Sequence, residues 1–240
     1  HLEKMYRFWQ TVLLKEHSYY GAPFAPHATM PIDAKHFERW EQLFSETIDA
    51  HFEGEKADEA KWRAGKMAEL FLSKIEIKHY KAKTVLLNAG DICKHSYFVN
   101  SGILRSFNIN DNIVEHVLQF ACEGWWIGDM YSLITQKPGN LYVEVNEDAE
   151  VVLLSKENQE ELFQEIPKLE RFFRILTENS LVANQERLMD NLSLSAEERF
   201  EKFCSKYPTL IQKVPQKQVA SYIGVTPEFF SKMKAKMLRK

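Results

Sequence analysis

Residues 216–235, QKQVASYIGVTPEFFSKMKA, interleave side chains that hydrogen-bond to flat polar edges with side chains that are stable only when buried. Glu228 accepts hydrogen bonds, Lys232 and Lys236 donate them and carry charge, and Gln216, Gln218, Thr226 and Ser231 do both. Set along a helix, such groups read donor and acceptor patterns. A glutamate accepts from cytosine N4 in the major groove of duplex DNA, and a lysine donates to guanine O6 and N7.

Two short helices and a tight turn must hold these groups in place. Val219, Ile223, Val225, Phe230 and Met233 fall where the two helices pack on each other, and Ala220 is small enough to lie beneath the second. Gly224 suits the positive φ of the turn. Thr226 then offers an N-cap hydroxyl, Pro227 a pre-set φ at the first helical position, and Glu228 an acid at the positive end of the helix dipole. With Phe230, Met233 and Met237 facing inward, Glu228, Ser231, Lys232 and Ala235 face out. Phe229 lies between the faces and suits either. Any two packed helices with a glycine turn give a similar pattern, so charge decides between the readings. Residues 199–240 hold ten Lys/Arg against Glu201 and Glu228, in a chain whose formal net charge is −3. A basic end on an otherwise acidic chain is an electrostatic footprint for phosphate backbone.

At 240 residues and 45% hydrophobic content the chain can bury one or two cores and is not compositionally disordered. It lacks any apolar run near the ~20 residues that span a bilayer, and nothing at its start resembles a signal peptide, so a cytoplasmic protein is expected. Cys93, Cys122 and Cys204 are odd in number and far apart, which supports neither a disulfide framework nor a thiolate cluster. No nucleophile elbow, Walker loop or zinc-ligand spacing occurs, so no enzyme is expected.

The texture of the chain changes three times, giving expected units at 1–72, 73–165, 166–193 and 194–240. The first reads as helical, over 2–14, 36–52 and 57–72. The second carries short β-rich runs (84–87, 97–99, 103–107, 114–120, 141–145 and 151–154) between turn signals such as Asn100-Ser101-Gly102, as in a small antiparallel barrel or jelly roll. A long helix follows from about Pro167 to Leu192, with Leu169, Phe173, Leu176, Ser180 and Ala183 at near-heptad spacing. That stripe is either intramolecular core or a dimer seam, and the seam is favoured because a helix leaving a barrel has little else to cover it.

Barrel, long helix and helix-turn-helix in this order resemble the Crp/Fnr regulators, over about residues 70–240, by LQFACEGWWIGDMYSLITQKP (118–138), IPKLERFFRILTENS (166–180), SAEERFEKF (195–203) and VPQKQVASYIGVTPEFFSKMKAKM (214–237). The resemblance implies an α+β chain with a double-stranded β-helix barrel as sensor and a winged helix-turn-helix. It also implies a homodimer about the long helix, a palindromic promoter site, and RNA polymerase as a partner. A cyclic-nucleotide cassette in such barrels needs a Gly-Glu pair and then an arginine followed by a small hydroxyl residue. Here Gly128-Asp129 fills the first place, but the second reads Pro138-Gly139-Asn140, and no arginine lies between Arg105 and Arg171. Residues 107–155 hold eight acids against Lys137 alone, a surface expected to repel a cyclic phosphate. Cyclic AMP is therefore not the expected effector.

Residues 1–54 resemble a group III truncated haemoglobin, on HLEKMYRFWQTVLLKEHSYYGAPFAPHATMPIDAKHFERWEQLFSETIDAHFEG. The resemblance implies His27 as the proximal haem-iron ligand, His1 at the distal position and Trp40 in the pocket, so a haem-based gas-binding protein is the alternative reading. The family's opening helices have no counterpart before His1. One haem face would then lie open to water, and weak or no haem binding is expected.

Overall fold

The computed structural model describes residues 34–237. Two antiparallel helices come first, α1 (Ala34–His51) and α2 (Glu55–Lys74). They close tightly because Ala57, Ala60 and Ala64 put one small buried side chain on each turn of the facing side of α2. Lys61 adds ion pairs to Asp49 at 2.6 Å and Asp58 at 3.2 Å. The helix expected over 2–14 lies outside the described residues, as do His1 and His27, while Trp40 falls on α1.

Six strands follow: β1 (Ile75–Tyr80), β2 (Val85–Leu87), β3 (His95–Ile109), β4 (Glu115–Ala121), β5 (Trp126–Ile127) and β6 (Tyr142–Ser155). They form one antiparallel sheet in the order β1-β6-β3-β4, with β2 on β6 and β5 on β3. The long strand β3 runs through a predicted turn, and β6 joins the two runs expected at 141–145 and 151–154. Asn100, Ser101 and Gly102 do not end β3; they form bulges in it, with register shifts between Val99 and Leu104. Gly102 takes φ +89°, and a Cβ there would sit 2.7 Å from the Ala149 Cα, so only glycine lets the strands bend together at this point. Each long strand thus serves both halves of the barrel, whose interior is filled by residues such as Tyr97, Val99, Leu104, Val143, Val145 and Val151.

A short helix, α3 (Met130–Thr135), which the sequence reading does not include, interrupts the barrel after Asp129. Beyond β6 come α4 (Lys156–Glu165), capped by the Ser155 hydroxyl, and α5 (Pro167–Ser193), which starts on a proline. The C-terminal helices are α6 (Ala196–Lys206), α7 (Leu210–Lys213), α8 (Gln216–Ile223) and α9 (Pro227–Met237). Ser195 and Glu198 close a reciprocal capping box at the start of α6. Among the described residues no strand follows Ser155, and the segment between α6 and α8 closes as the helical turn α7 with Leu210 and Val214 buried.

The C-terminal helices are not a separate module. Ile103, Phe107, Val117 and Phe120 from the outside of the barrel share one apolar core with Phe200, Phe203, Tyr207, Val219, Ile223 and Phe230. Phe120 is fully buried at the centre, with ring centroids 6.1 Å from Phe203, 6.2 Å from Tyr207 and 5.6 Å from Tyr222. Replacing a buried phenylalanine by alanine costs about 3–5 kcal/mol. Phe120→Ala is therefore expected to lower unfolding stability by that order and to destabilise barrel and C-terminal helices together. Chemical denaturation followed by near-ultraviolet circular dichroism and by tryptophan fluorescence checks it, with coincident transitions expected.

Candidate functional site

The helix-turn-helix is assembled by local rules and then fastened to the barrel. Gly224 ends α8 at φ +76°, its N–H reaching the Ala220 and Ser221 carbonyls, while Val225 N donates to Ala220 O at 3.0 Å. Thr226 Oγ1 accepts from Phe229 N at 3.2 Å and so caps α9. Phe230 and Met233 are buried beneath α9 against Val219, Ala220 and Ile223. Glu228, Phe229, Ser231, Lys232 and Lys236 are then left exposed along one side, with Thr226 and Pro227 exposed at its start. Phe229 is 49% exposed, which gives it the outward role of an apolar group able to touch a thymine methyl. Ser231 Oγ donates back to Pro227 O at 2.9 Å, so its hydroxyl faces solvent as an acceptor. Lys232 and Lys236 enter no ion pair among the described residues and present full charge outward.

Gln216 is exposed at the start of α8, but Gln218 is not available for base reading. It is 6% exposed and pairs amide to amide with Asn146 of β6, at 2.6 Å from Asn146 Nδ2 to Gln218 Oε1. The reason is its position one helical turn before Ser221, on the side of α8 that meets the barrel. There Ser221 Oγ donates to Glu115 O at 2.6 Å and accepts from Val117 N at 2.8 Å. Part of the basic footprint is also committed within the fold. Arg199 donates to Ile223 O at 2.8 Å and Leu194 O at 2.6 Å, Lys202 pairs with Asp190 at 2.6 Å, and Lys213 pairs with Glu147 at 3.0 Å.

The long helix α5 does not use the expected stripe as one continuous seam. Leu169 is buried with Leu154 and Leu162, and Phe173 packs on Trp126 at 5.2 Å and Phe163 at 5.4 Å, so both lie inside the chain. The first turns of α5 lie over the barrel roof and α4, and residues on that side are consumed there. Leu176 and Ala183 are half-buried and Ser180 is exposed. The apolar groups left in solvent are Ile175, Val182 and Met189, seven residues apart, with Leu181, Leu188 and Leu192 beside them.

In the barrel, Gly128-Asp129 and the 137–141 loop meet as a closed unit. Asp129 is buried; its Oδ1 accepts from Ser132 N at 3.0 Å and its Oδ2 from Leu141 N at 3.3 Å. Ser132 Oγ accepts from Cys93 N at 2.8 Å and donates to Lys137 O at 2.6 Å. Gly139 N donates to Asp91 O at 3.1 Å, and a Cβ on Gly139 would overlap the Asp129 carboxylate. Arg105, the nearest arginine in sequence, is bound to Glu115 at 2.6 Å and Glu144 at 2.9 Å and lies over the Phe107 ring. The guanidinium holds the Glu115 carboxyl below the ordinary carboxylate range.

Residues 77–166 match the sequence profile of the cyclic nucleotide-binding domain family. Curated relatives include an anaerobic regulatory protein of Haemophilus influenzae, 23% identical over 167 residues, 65% of this chain and 64% of that one. The fumarate and nitrate reduction regulatory protein of Vibrio cholerae is 23% identical over 159 residues, 62% of this chain and 63% of that one. The chain thus spans just under two thirds of the length of these relatives. Among solved structures, the c-di-GMP-responsive global regulator CLP of Xanthomonas campestris superposes with a TM-score of 0.61 at 18% identity, over 73% of this chain and 92% of that one. FixK2 of Bradyrhizobium japonicum gives 0.60 at 17% identity, over 69% and 85%. Residues 77–166 are thus similar to the cyclic nucleotide-binding domain family, and the chain shares the fold of these solved regulators.

Proposed function

We propose that the chain is a DNA-binding transcription regulator that acts as a homodimer and does not use cyclic AMP as its effector. The observation that carries this reading is the exposed side of α9, where Glu228, Phe229, Lys232 and Lys236 project together from a helix anchored beneath by Phe230 and Met233. A helix presenting an acceptor, an apolar ring and two unpaired cations along one side suits the major groove, where bases differ in donors, acceptors and the thymine methyl. The cations supply the phosphate attraction common to all sequences. RNA polymerase is carried as a partner by the family resemblance.

Dimerisation rests on α5. Val182 is 53% and Leu192 75% exposed, and with Ile175, Leu181, Leu188 and Met189 they form an apolar strip along a helix with charged residues on its remaining exposed side. A second copy of the same strip is its natural cover, since a left-handed helix pair repeats every seven residues as Ile175, Val182 and Met189 do. A two-fold axis along this helix places the two recognition helices about 34 Å apart, one turn of DNA. Independence from cyclic AMP rests on Asp129, whose carboxylate already accepts from Ser132 N and Leu141 N in the loop where a cyclic phosphate would need free amides and a cation.

Lys232→Ala is expected to weaken specific DNA binding by about 1–3 kcal/mol. Gel-shift titration on operator and on random duplex checks this, and an equal loss on both assigns Lys232 to phosphate contact instead. The dimer is expected in sedimentation at micromolar protein, with Val182→Glu shifting it to monomer; a wild-type monomer with and without DNA overturns the seam. In calorimetry cyclic AMP is expected to give no saturable heat. Micromolar binding there refutes the role given to Asp129.

A further inference from the structure

A cavity of about 300 Å³ opens where the end of α5 meets both the barrel and the helix-turn-helix. Asn108, Leu118, Leu141, Arg187, Ser221 and Tyr222 are among its walls, and no carboxylate lines it. That absence stands out on a barrel whose residues 107–155 carry eight acids against one base. It adjoins the Asp129 loop through Leu141, but neither Asp129 nor residues 137–140 line it.

Among the described residues Arg187 is the one guanidinium or ammonium in this wall, which the imidazole of His116, bonded to Asn110 at 3.1 Å, also lines. Its guanidinium donates to three main-chain carbonyls, those of Leu118, Val117 at 2.9 Å and Tyr222 at 3.0 Å, and lies 4.1 Å from the centre of the Tyr222 ring. It makes no ion pair among the described residues, and its buried Nε has no hydrogen-bond partner. Burial pulls its pKa down from the ordinary arginine value. Arg105 shows how the same chain treats another buried arginine, giving it two carboxylates. A desolvated charge with only carbonyl dipoles around it is costly, and an unsatisfied buried donor adds to that cost. The first cost falls if an anion arrives beside the guanidinium.

We propose that this cavity binds a small organic carboxylate, with Arg187 as its counter-ion and Leu118, Leu141 and the Tyr222 ring as the bed for its hydrocarbon part. One cation and a mixed apolar and amide lining fit a monoanion with an apolar body, and the volume is at the lower end for small-molecule sites. Such a ligand touches the barrel, the long helix and the helix-turn-helix at once. Its binding energy therefore favours the docked arrangement of the three. The binding itself does not depend on the DNA-binding reading and is measured without DNA.

The test uses the full chain, thermal unfolding and calorimetry, with benzoate and hexanoate as probes. Benzamide, hexanamide, inorganic phosphate and cyclic AMP serve as controls. The carboxylates are expected to bind saturably and raise the melting temperature, while the neutral amides do neither. Arg187→Gln is expected to weaken benzoate by at least about tenfold, the loss of a hydrogen bond to a charged group. Because Arg187→Gln also removes main-chain contacts, Asn108→Trp provides the second variant. Asn108 is an exposed rim residue, so the indole fills the cavity while Arg187 stays in place, and the same loss is expected. Equal affinity for acid and amide, undiminished binding to Asn108→Trp, or no saturation by either carboxylate overturns the proposal. So does saturation by phosphate or cyclic AMP alone.

Discussion

Strand β4 has one neighbour in the sheet, β3, and its other edge would leave N–H and C=O groups to water or to another chain. The fold meets this constraint with side chains from a remote part of the sequence. Ser221 takes both Val117 N and Glu115 O, and Arg187 takes the carbonyls of Val117 and Leu118. Two residues do for β4 what a seventh strand would do. The helices that provide them are held there by burial, since Phe120 presents its ring from the same strand to Phe203, Tyr207 and Tyr222. Polar satisfaction and apolar burial act on the same strand, so neither the edge nor the aromatic cluster is stable without the other.

The acid excess of the barrel is managed locally. Glu115 and Glu144 sandwich Arg105, Glu150 takes a hydrogen bond from Asn100 and lies 3.2 Å from His79, Glu147 holds Lys213, and Asp129 is turned inward onto backbone amides. Each of these carboxylates has a charged or hydrogen-bonding partner within the fold. The same economy removes cations from the barrel interior. Arg105, the buried arginine of β3, is spent on Glu115 and Glu144. Charge left without a partner appears at two places only among those discussed: the outward side of α9, where water screens it, and Arg187, where water is largely excluded.

Local chemistry was legible in the sequence wherever it acts within a few residues. The Thr226-Pro227 helix start and the left-handed Gly224 both stand where residue type alone places them. Signals that depend on distant partners misled or were silent. Asn100-Ser101-Gly102 has turn composition, yet β6 across the sheet converts it into bulges of a continuous strand. Leu169 and Phe173 have seam spacing, yet Trp126 and Leu154 claim them. Gln218 looks like any exposed helix-turn-helix glutamine until Asn146, 72 positions earlier, is folded beside it. Nothing near Arg187 or Ser221 marks them, because their partners lie between 35 and 106 positions away. Periodicity tells that a face is apolar, and only tertiary structure tells which surface covers it.

The long helix α5 is where these separate contacts become one mechanical system. Its 27 residues extend about 40 Å at 1.5 Å per residue. At one end Leu169 and Phe173 sit on the barrel roof beside α4, which in turn receives α2 through the Lys74–Glu161 ion pair and the Asn158 bond to Lys74 O. At the other end Arg187 grips β4 and the end of α8, and Asp190 holds Lys202 of α6. One uninterrupted helix therefore carries both sets of contacts. The exposed strip of Ile175, Val182 and Met189 runs between the two ends.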